Sequence, residues 1–322
     1  MKSVSIIIPA WNEERTLKAT LYALLEIDYD KTRCEVIAVA GGSDNTYKIA
    51  RSLVGPMKPF SRYVVLLQEP AGKNAAIQLG LNVANNAIIV LLDADTIVSK
   101  QWLTSMLHPI AQGKTDLTIA NPNPVRKNWV SDYYMITKTY FLHRITTFSG
   151  HSMAFKASDV KNRLQYFFDR DVKVGVDYLL AKRFLEQGKK IMFVKDAYVT
   201  THIPSSPKYF VRSESRWQTA FINIDGASYR SLTSNGIIVG ALAAMVPLNK
   251  TLFIVALLLN TVYVIKRARI FLIGSKLYKS RIRNIFGFII LSYAYHLVGF
   301  ISYLRYFLGL SEQKYLHQGQ RY

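Results

Sequence analysis

Two aspartates follow directly on an apolar run in this chain. Residues 87–92 read AIIVLL, which is typical of a buried strand, and the chain continues as Asp93, Ala94 and Asp95. In an extended chain, residues i and i+2 point to the same side, so the two carboxylates would share one small volume. Because like charges disfavour joint ionisation, we expect either a positive group beside this pair or wide exposure to water.

The elements that would position this pair alternate through the first part of the chain. Strands are predicted at residues 4–8, 34–40, 63–67 and 88–92, and helices at residues 17–27, 48–53 and 73–83. Apolar strands that alternate with helices predict an α/β fold, with a mostly parallel sheet covered by helices on both faces. Ligands bind such sheets beyond the carboxyl ends of the strands, so residues 9–13, 41–45 and 93–95 should converge on one site.

Residues 130–205 follow a less regular pattern. FSGHSMAFK, at residues 148–156, is a candidate strand, and a further strand is predicted at Ile191–Thr201, directly before His202. Between them, an acidic loop with Asp169 and Asp171 leads into a helix predicted at residues 178–186. Asp177 immediately precedes that helix, where it would serve either as an N-cap or as a carboxylate for chemistry.

The C-terminal part has the composition of a membrane region. Residues 231–249, 251–265 and 284–304 contain no charged side chain, and a spanning helix needs roughly 20 apolar residues. Pro247 and Lys250 would break the first two segments into a helical hairpin. We therefore predict a domain of residues 1–230, a membrane region of two to three transmembrane helices at residues 231–310, and a tail of residues 311–322.

The charge of the chain fits an anionic membrane surface. Net charge is +20, and residues 266–283 are strongly basic and contain no acid, so the positive-inside rule predicts that this segment lies on the cytosolic face. Interface helices are predicted near residues 206–230, anchored by Tyr209, Phe210, Trp217 and Phe221. The apolar run at the N-terminus is too short for a signal peptide. We expect a multi-pass protein of the cell membrane with its first domain in the cytosol, and no nucleic-acid partner.

Eight short motifs, in their order and spacing, resemble those of family 2 glycosyltransferases over residues 3–217. They are IIIPAWNEE, GGSDNT, GKNAAIQLG, LLDADT, SGHSMAFK, GVDYLLAKRF, TTH and RW. The resemblance implies the GT-A fold, which is Rossmann-like, and a nucleotide-diphosphate sugar as the donor. It also implies a divalent cation on the donor diphosphate, and hard oxygen ligands suit Mg²⁺ or Mn²⁺.

The same resemblance gives individual residues a role. It implies that the donor is bound by Pro9, Ala10, Trp11, Glu13, Gly41, Lys73, Asp93 and Ala94. It implies that the metal ligands are Asp95, Asp93 and His202. Many members carry two acids before Gly-Ser, one of which contacts the nucleoside, but this chain has Ala40 and Gly41 there and Asp44 nearby. The base of the donor is therefore left open.

Asp177 lies where the family has its catalytic base, with Val176 in place of the acid that usually precedes it. One carboxylate is enough to remove the proton of a hydroxyl acceptor, whereas a phosphate acceptor needs no base. The pair Arg216 and Trp217 is similar to the end of the Gln-x-x-Arg-Trp motif of processive synthases, but Ser213 replaces the glutamine. The expected contacts of the acceptor or product phosphate are Arg212, Arg216 and Trp217.

These features predict an inverting glycosyltransferase that uses a lipid-linked acceptor, a polyprenyl-linked saccharide or a glycolipid, at the cytosolic membrane face. One alternative is a polyprenyl-phosphate monosaccharide synthase of the dolichyl-phosphate-mannose-synthase type, in which Asp177 would be dispensable. Another is a small processive synthase. An alternative of a different class is a catalytically inactive, membrane-anchored binding or scaffold protein. A Rossmann dehydrogenase is not favoured, because no Gly-x-Gly-x-x-Gly follows the first strand.

Overall fold

The structure is a computed structural model that describes residues 2–69, 72–143, 150–225 and 285–310, together with the single positions 249, 251, 254 and 258. The described parts of residues 1–125 and 145–202 form one compact unit, called here the α/β unit. Those of residues 126–144 and 203–313 form a second unit, called here the helical unit. The division after residue 202 lies upstream of the boundary predicted at residue 230, because the helix that begins at residue 207 belongs to the helical unit.

An eight-stranded sheet forms the centre of the α/β unit. Its strands are β1 (Val4–Trp11), β2 (Cys34–Gly41), β3 (Arg62–Leu67), β4 (Ile88–Leu92), β5 (Ile97–Val98), β6 (Leu117–Pro124), β7 (Ser152–Lys156) and β8 (Ile191–Thr201). Their order is β3-β2-β1-β4-β7-β6-β8-β5. The first four neighbours are parallel, β7 is antiparallel to both β4 and β6, and β6 and β8 are parallel. The mostly parallel α/β sheet is confirmed.

The helices are α1 (Leu17–Leu25), α2 (Thr46–Ser52), α3 (Lys73–Val83), α4 (Trp102–Ala111), α5 (Trp129–His143), α6 (Ala157–Val160), α7 (Leu164–Phe167), α8 (Val176–Glu186), α9 (Pro207–Asp225) and α10 (Ile285–Phe307). Helices cover both faces of the sheet. Ile6 and Ile8 of β1 pack in one core with Leu21 of α1, while Ile7 points the other way and meets Gly80 of α3. This alternation follows from the two-residue period of a strand.

A buried carboxylate joins the amino ends of the central strands. Glu35, at the start of β2, is 2% exposed. Its Oε1 accepts hydrogen bonds from Ser5 Oγ at 2.5 Å and from the Asn85 N–H at 2.5 Å, and its Oε2 pairs with Arg62 Nη1 at 3.0 Å. The network thus ties the starts of β1, β2 and β3 to the residues that precede β4.

The helical unit packs around Tyr133 of α5. The Tyr133 ring meets Phe210 of α9 at 5.4 Å and Phe288 of α10 at 5.0 Å between ring centroids, and its hydroxyl lies 3.3 Å from Ser292 Oγ. Phe210 and Phe221 are buried within this unit, so the prediction that they anchor the chain to a membrane surface is wrong. Aromatic rings on an amphipathic helix can face either a protein core or a lipid, and here a core is available.

Residues Gly287–Phe307 of α10 form a helix long and apolar enough to cross a bilayer, with a mean hydropathy of 1.5. No second helix of this kind occurs among residues 2–69, 72–143, 150–225 and 285–310. The predicted basic segment 266–283 and the tail 311–322 lie outside the described residues, as do nearly all positions of the spans predicted at 231–249 and 251–265. One apolar C-terminal helix is thus the observed part of the predicted membrane region, and a multi-pass arrangement is not confirmed.

The Glu35 network makes the amino edge of the sheet sensitive to substitution. Glu35→Ala leaves the Ser5 hydroxyl and the Asn85 N–H without this acceptor, so we expect the free energy of unfolding to fall by about 2 kcal/mol. The exposed Glu26 offers a matched control, since Glu26→Ala should change stability by less than about 0.5 kcal/mol. Denaturant unfolding followed by circular dichroism measures both variants, and equal losses would show that the network contributes nothing specific.

Candidate active site

A pocket opens at the carboxyl ends of β1 and β4, where the sequence predicts the ligand site. It encloses about 280 Å³ of space, part of it open to solvent. Its lining residues are Pro9, Trp11, Gln68, Lys73, Asp93, Ala94 and Asp95. Five of the residues predicted to bind the donor therefore line one pocket. Ala10, Glu13 and Gly41 are not among the lining residues, and their predicted role in donor binding stays a prediction.

The loops after β1 and β2 are tied to each other beside this pocket. Asn12 Oδ1 accepts the Ser43 N–H at 2.7 Å, and the Glu13 N–H donates to Thr46 Oγ1 at 2.6 Å. Asp44 accepts from the Thr46 hydroxyl at 2.6 Å and from the Glu14 N–H at 3.2 Å. The acid nearest to Gly-Ser therefore holds the two loops together.

Asp93 is the charged centre of the pocket wall. Its Oδ1 lies 2.5 Å from Lys73 Nζ, at the first residue of α3, and its Oδ2 lies 3.6 Å from His151 Nδ1. Burial by itself would raise the pKa of Asp93, but the Lys73 ammonium and the His151 ring outweigh it and hold that pKa well below its ordinary value. The positive group expected beside the aspartate pair is therefore Lys73.

Asp95 is 5% exposed and lines the same pocket. The Thr96 hydroxyl lies 3.4 Å from Asp95 Oδ1 and 3.3 Å from the Thr201 hydroxyl at the end of β8. The Thr201 hydroxyl in turn lies 3.5 Å from His151 Nδ1. Because hydroxyls both donate and accept, this row of side chains connects Asp95 to the His151 ring, which also lies beside Asp93.

Asp177 faces the same group of charges from α8. The helix begins at Val176, after Gly175 with a φ of 81°, so Asp177 lies within the first turn and the interpretation of Asp177 as the N-cap is wrong. Its Oδ2 accepts the Gly150 N–H at 2.7 Å, and a Cβ at position 150 would lie 2.0 Å from Asp177 Cβ. Position 150 must therefore be glycine for this contact to form.

Burial raises the pKa of Asp177 above its ordinary value of 3.8. The Lys73 charge opposes this shift and the Asp93 charge adds to it, while the Gly150 N–H and His151 favour the ionised form. The pKa of Asp93 is thus lowered and that of Asp177 is raised. Asp93 is held ionised, and Asp177 binds a proton more tightly, which is the pattern expected of a stabilising anion beside a proton acceptor.

Helix α3 also fixes the loop that leads into α8. Asn74 Nδ2 donates to the carbonyls of Asp169 and Val172, and Gln78 Nε2 donates to the Phe168 carbonyl at 2.7 Å. Asp169 Oδ1 accepts the N–H of Asp171 at 3.0 Å, which is a local turn contact. One helix therefore positions Lys73 directly and Asp177 through the loop.

Asp93 and Asp95 fit a divalent cation that shares its coordination with a ligand. Both residues line one pocket, and Mg²⁺ or Mn²⁺ is commonly bound by one or two carboxylates plus substrate phosphates and water. Within the described part of the chain, no three His, Cys, Asp or Glu side chains are grouped closely enough to hold a metal by themselves. His202 follows β8 and is not grouped with the two aspartates, so its role as a ligand stays a prediction.

The three residues predicted to contact the acceptor lie on α9 in the helical unit. Arg212 is exposed, and Arg216 and Trp217 are partly exposed, with the Trp217 ring 5.6 Å from that of Phe221. The sequence did not single out Gln68, Gly150 or His151. The last two stand in the recognised motif SGHSMAFK, yet nothing local indicates that they would face Asp177 and Asp93 across the sheet.

Comparison with known proteins identifies the family. The family model described as "Glycosyl transferase family 2" matches residues 5–167, and "Glycosyl transferase family group 2" matches residues 88–309. Glycosyltransferase AglE of Haloferax volcanii is 32% identical over 120 residues, which is 37% of this chain and 38% of that protein. The probable glycosyltransferase YdaM of Bacillus subtilis is 33% identical over 237 residues, which is 67% of this chain and 54% of YdaM. The chain thus spans about half or less of these relatives.

Solved structures share the fold. The mannosyltransferase PcManGT from Pyrobaculum calidifontis, solved with GDP-Man and Mn²⁺, matches with a TM-score of 0.64 and 18% identity over 94% of this chain and 87% of that one. Residues 1–349 of Staphylococcus aureus TarS, solved with UDP, match with a TM-score of 0.51 and 17% identity over 98% and 93%. The sheet and its carboxylate pocket define a GT-A-like α/β protein. This chain belongs to glycosyltransferase family 2.

The opposite pKa shifts of the two aspartates predict opposite effects on stability. The pKa of Asp177 is higher in the folded protein than its ordinary value of 3.8, so the free energy of unfolding falls as the pH rises from 3.8 towards the pKa of the folded state. Asp177→Asn has no carboxyl to titrate and therefore avoids this loss of stability. We expect this variant to melt at a higher temperature than the unmodified protein at neutral pH.

Asp93→Asn is the matched control, since it takes the carboxylate away from Lys73 and should melt lower than the unmodified protein. Melting curves in EDTA at about pH 7 and about pH 4 test both variants, because at the lower pH the advantage of Asp177→Asn should shrink. A lower melting temperature for Asp177→Asn at neutral pH would contradict the raised pKa.

Proposed function

We propose that this protein is an inverting glycosyltransferase that moves a sugar from a nucleotide-diphosphate donor to the hydroxyl of a lipid-linked acceptor at the cytosolic face of the membrane. The observation that carries the proposal is the arrangement of Asp177 and Asp93 around Lys73. One carboxyl holds its proton more tightly than usual, and the other is kept ionised in the wall of the pocket that contains Asp95.

In this proposal Asp177 is the base. Its Oδ2 is oriented by the Gly150 N–H, and a raised pKa makes it a better proton acceptor during attack than an ordinary surface aspartate. Attack by the acceptor hydroxyl on the face opposite the leaving diphosphate inverts the anomeric carbon in a single displacement. Lys73 and His151 keep Asp93 ionised, so that the proton accepted by Asp177 is not shared with it.

Asp95, with Asp93, would hold the divalent cation, and Pro9 and Trp11 would border the nucleoside. When bound, the cation would neutralise the charge of the leaving diphosphate. Mg²⁺ and Mn²⁺ both suit carboxylate oxygens as ligands. A donor of the nucleoside diphosphate class is supported by the two structural neighbours, one of which was solved with GDP-Man and Mn²⁺ and the other with UDP.

A membrane location is supported by the way α10 distributes its side chains. Ile290, Leu297, Ile301 and Leu304 are exposed and follow one another at helical spacing on one side of the helix. The buried side of the same helix carries the polar residues Ser292, His296 and Ser302. Phe288, Leu291 and Val298 are also buried on α10, so the feature that favours a membrane is the exposed apolar side, where a helix at a water surface would carry polar and charged residues.

The alternative of a polyprenyl-phosphate monosaccharide synthase differs in its need for a base. A phosphate acceptor is already a nucleophile, and a half-buried, oriented carboxyl such as Asp177 would have no proton to remove. The same oriented carboxyl speaks against a catalytically inactive scaffold, because its burial costs stability that a scaffold need not lose. A hydroxyl acceptor therefore fits the α/β unit better.

Two variants, Asp95→Asn and Asp177→Asn, should distinguish donor binding from sugar transfer. Mn²⁺ with the correct nucleoside diphosphate should raise the melting temperature by mass action, and Asp95→Asn should abolish the metal-dependent part of that shift. Asp177→Asn should keep the shift but lose transfer to a hydroxyl acceptor by about 10²-fold or more, as expected for a general base.

The measurement is a thermal-shift titration of the detergent-solubilised chain with UDP, GDP, CDP, ADP and dTDP, followed by a transfer assay with lipid extracts. Unchanged metal dependence in Asp95→Asn would contradict the assignment of the ligand. Full transfer by Asp177→Asn would favour a phosphate acceptor.

The outer side of α10 should lie in lipid. A nitroxide attached to Leu297→Cys in vesicles of anionic phospholipid should be relaxed more by oxygen than by a water-soluble nickel chelate, because oxygen concentrates in hydrocarbon. The exposed position of Lys208→Cys on α9 should show less preference for oxygen, and the native Cys34 is buried. Equal accessibility of position 297 to both reagents would place this side of the helix in water.

A further inference from the structure

Lys73 is a cation that the protein itself places on Asp93. Its Nζ lies 2.5 Å from Asp93 Oδ1, and the side chains are only 24% and 19% exposed. Both residues line the pocket together with Asp95. Salt screens a partly buried pair of this kind much less than it screens an exposed pair. Lys73 is therefore held against the carboxylate and is not simply a surface lysine.

The ion pair uses a carboxylate that the proposed divalent cation also needs. Asp93 Oδ1 contacts Lys73, and Asp93 Oδ2 faces His151 Nδ1 at 3.6 Å. A divalent cation that binds Asp93 would have to share this carboxylate with the Lys73 ammonium or displace it. Two positive charges within a few ångströms repel each other strongly where water is partly excluded.

The balance of charge in the pocket makes this competition depend on the donor. Lys73 and a divalent cation together carry three positive charges, against two negative charges on Asp93 and Asp95. A diphosphate in the same pocket adds the negative charge that is lacking and offers oxygens to both cations. Lys73 is the first residue of α3, and its flexible four-carbon stem lets the ammonium change partners while the helix stays in place.

We infer that Lys73 is a built-in counter-ion that keeps a divalent cation off Asp93 until a diphosphate is present, an inference that rests on the proposed function. Lys73 leaves Asp93 for the phosphate oxygens when the donor binds, and the divalent cation then takes its place. The step exchanges ion pairs and breaks no covalent bond. Metal and donor therefore bind cooperatively, and the protein without donor binds the metal weakly.

The test is Mn²⁺ binding to the full detergent-solubilised chain, measured from the electron paramagnetic resonance signal of free Mn²⁺, without nucleotide and with UDP, GDP, CDP, ADP or dTDP. Lys73→Gln removes the charge but keeps a donor for Asp93. Without nucleotide it should bind Mn²⁺ roughly 5- to 100-fold more tightly than the unmodified protein, because one repelling charge is gone. In EDTA the same variant should bind the preferred nucleoside diphosphate more weakly.

Three further variants serve as controls. Lys73→Arg keeps the positive charge, so its affinity for Mn²⁺ without nucleotide should stay as low as that of the unmodified protein. Lys48→Gln removes the same charge at an exposed position outside the pocket lining and should change neither affinity. Asp95→Asn defines the site, since only the Mn²⁺ binding that is lost in this variant is counted.

Failure of the inference and failure of the proposed function give different results. If the unmodified protein binds none of the nucleoside diphosphates, the proposed function fails and the inference fails with it. If it binds one of them, but binds Mn²⁺ equally tightly without it, only the inference is overturned. The inference is also overturned if Lys73→Gln binds Mn²⁺ alone no better than the unmodified protein, because Lys73 then only contacts the donor. Lys73→Met replaces Lys73→Gln if that variant melts early.

Discussion

Three carboxylates of the α/β unit, Asp93, Asp95 and Asp177, have to coexist at one edge of a sheet, and the ion pair between Lys73 and Asp93 makes this arrangement tolerable. Without a cation, partly desolvated like charges would take up protons and the carboxylates would lose their distinct properties. Lys73 stands at the first residue of α3, directly beside the end of β4, so the pair forms as soon as strand and helix pack. The consequence is one aspartate held ionised and another with a raised pKa.

Two groups of polar residues lie at opposite edges of the sheet in the α/β unit. Glu35 and its partners are at the amino edge, and Lys73 and the aspartates are at the carboxyl edge. Helix α3 supplies Lys73 and, through Asn74 and Gln78, holds the loop that leads into α8. Helix α3 therefore carries Lys73 and supports the loop before α8, the helix that carries Asp177, the proposed base.

In the helical unit, apolar side chains are exposed and some polar side chains are buried. Its helix α10 has leucine and isoleucine on the exposed side, and serine and histidine among its buried residues, whereas α9 contributes Gln218 at 0% exposure. An exposed apolar side is favourable in hydrocarbon, and this is the feature on which the proposed membrane location and the proposed lipid-linked acceptor depend.

The sequence by itself determined the local features of this protein. Apolar runs and their period gave the strands Ile88–Leu92 and Ile191–Thr201 and the helix Lys73–Val83 with their observed bounds, because burial on both faces and helical spacing are properties of neighbouring residues. The order and spacing of the eight motifs were enough to identify the family. The position of the aspartate pair after a buried strand also indicated where a ligand would bind.

Only the tertiary structure decided which residues face one another. Strand β7 inserts antiparallel beside β4, and this brings His151 to Asp93 and Gly150 to Asp177, 27 residues further along the chain. The place of Gln68 in the pocket wall likewise depends on the pairing of β2 with β3 and on the glycine at position 41. Such contacts arise from sheet order and close packing, which no local pattern in the sequence specifies, because they join side chains that are far apart along the chain.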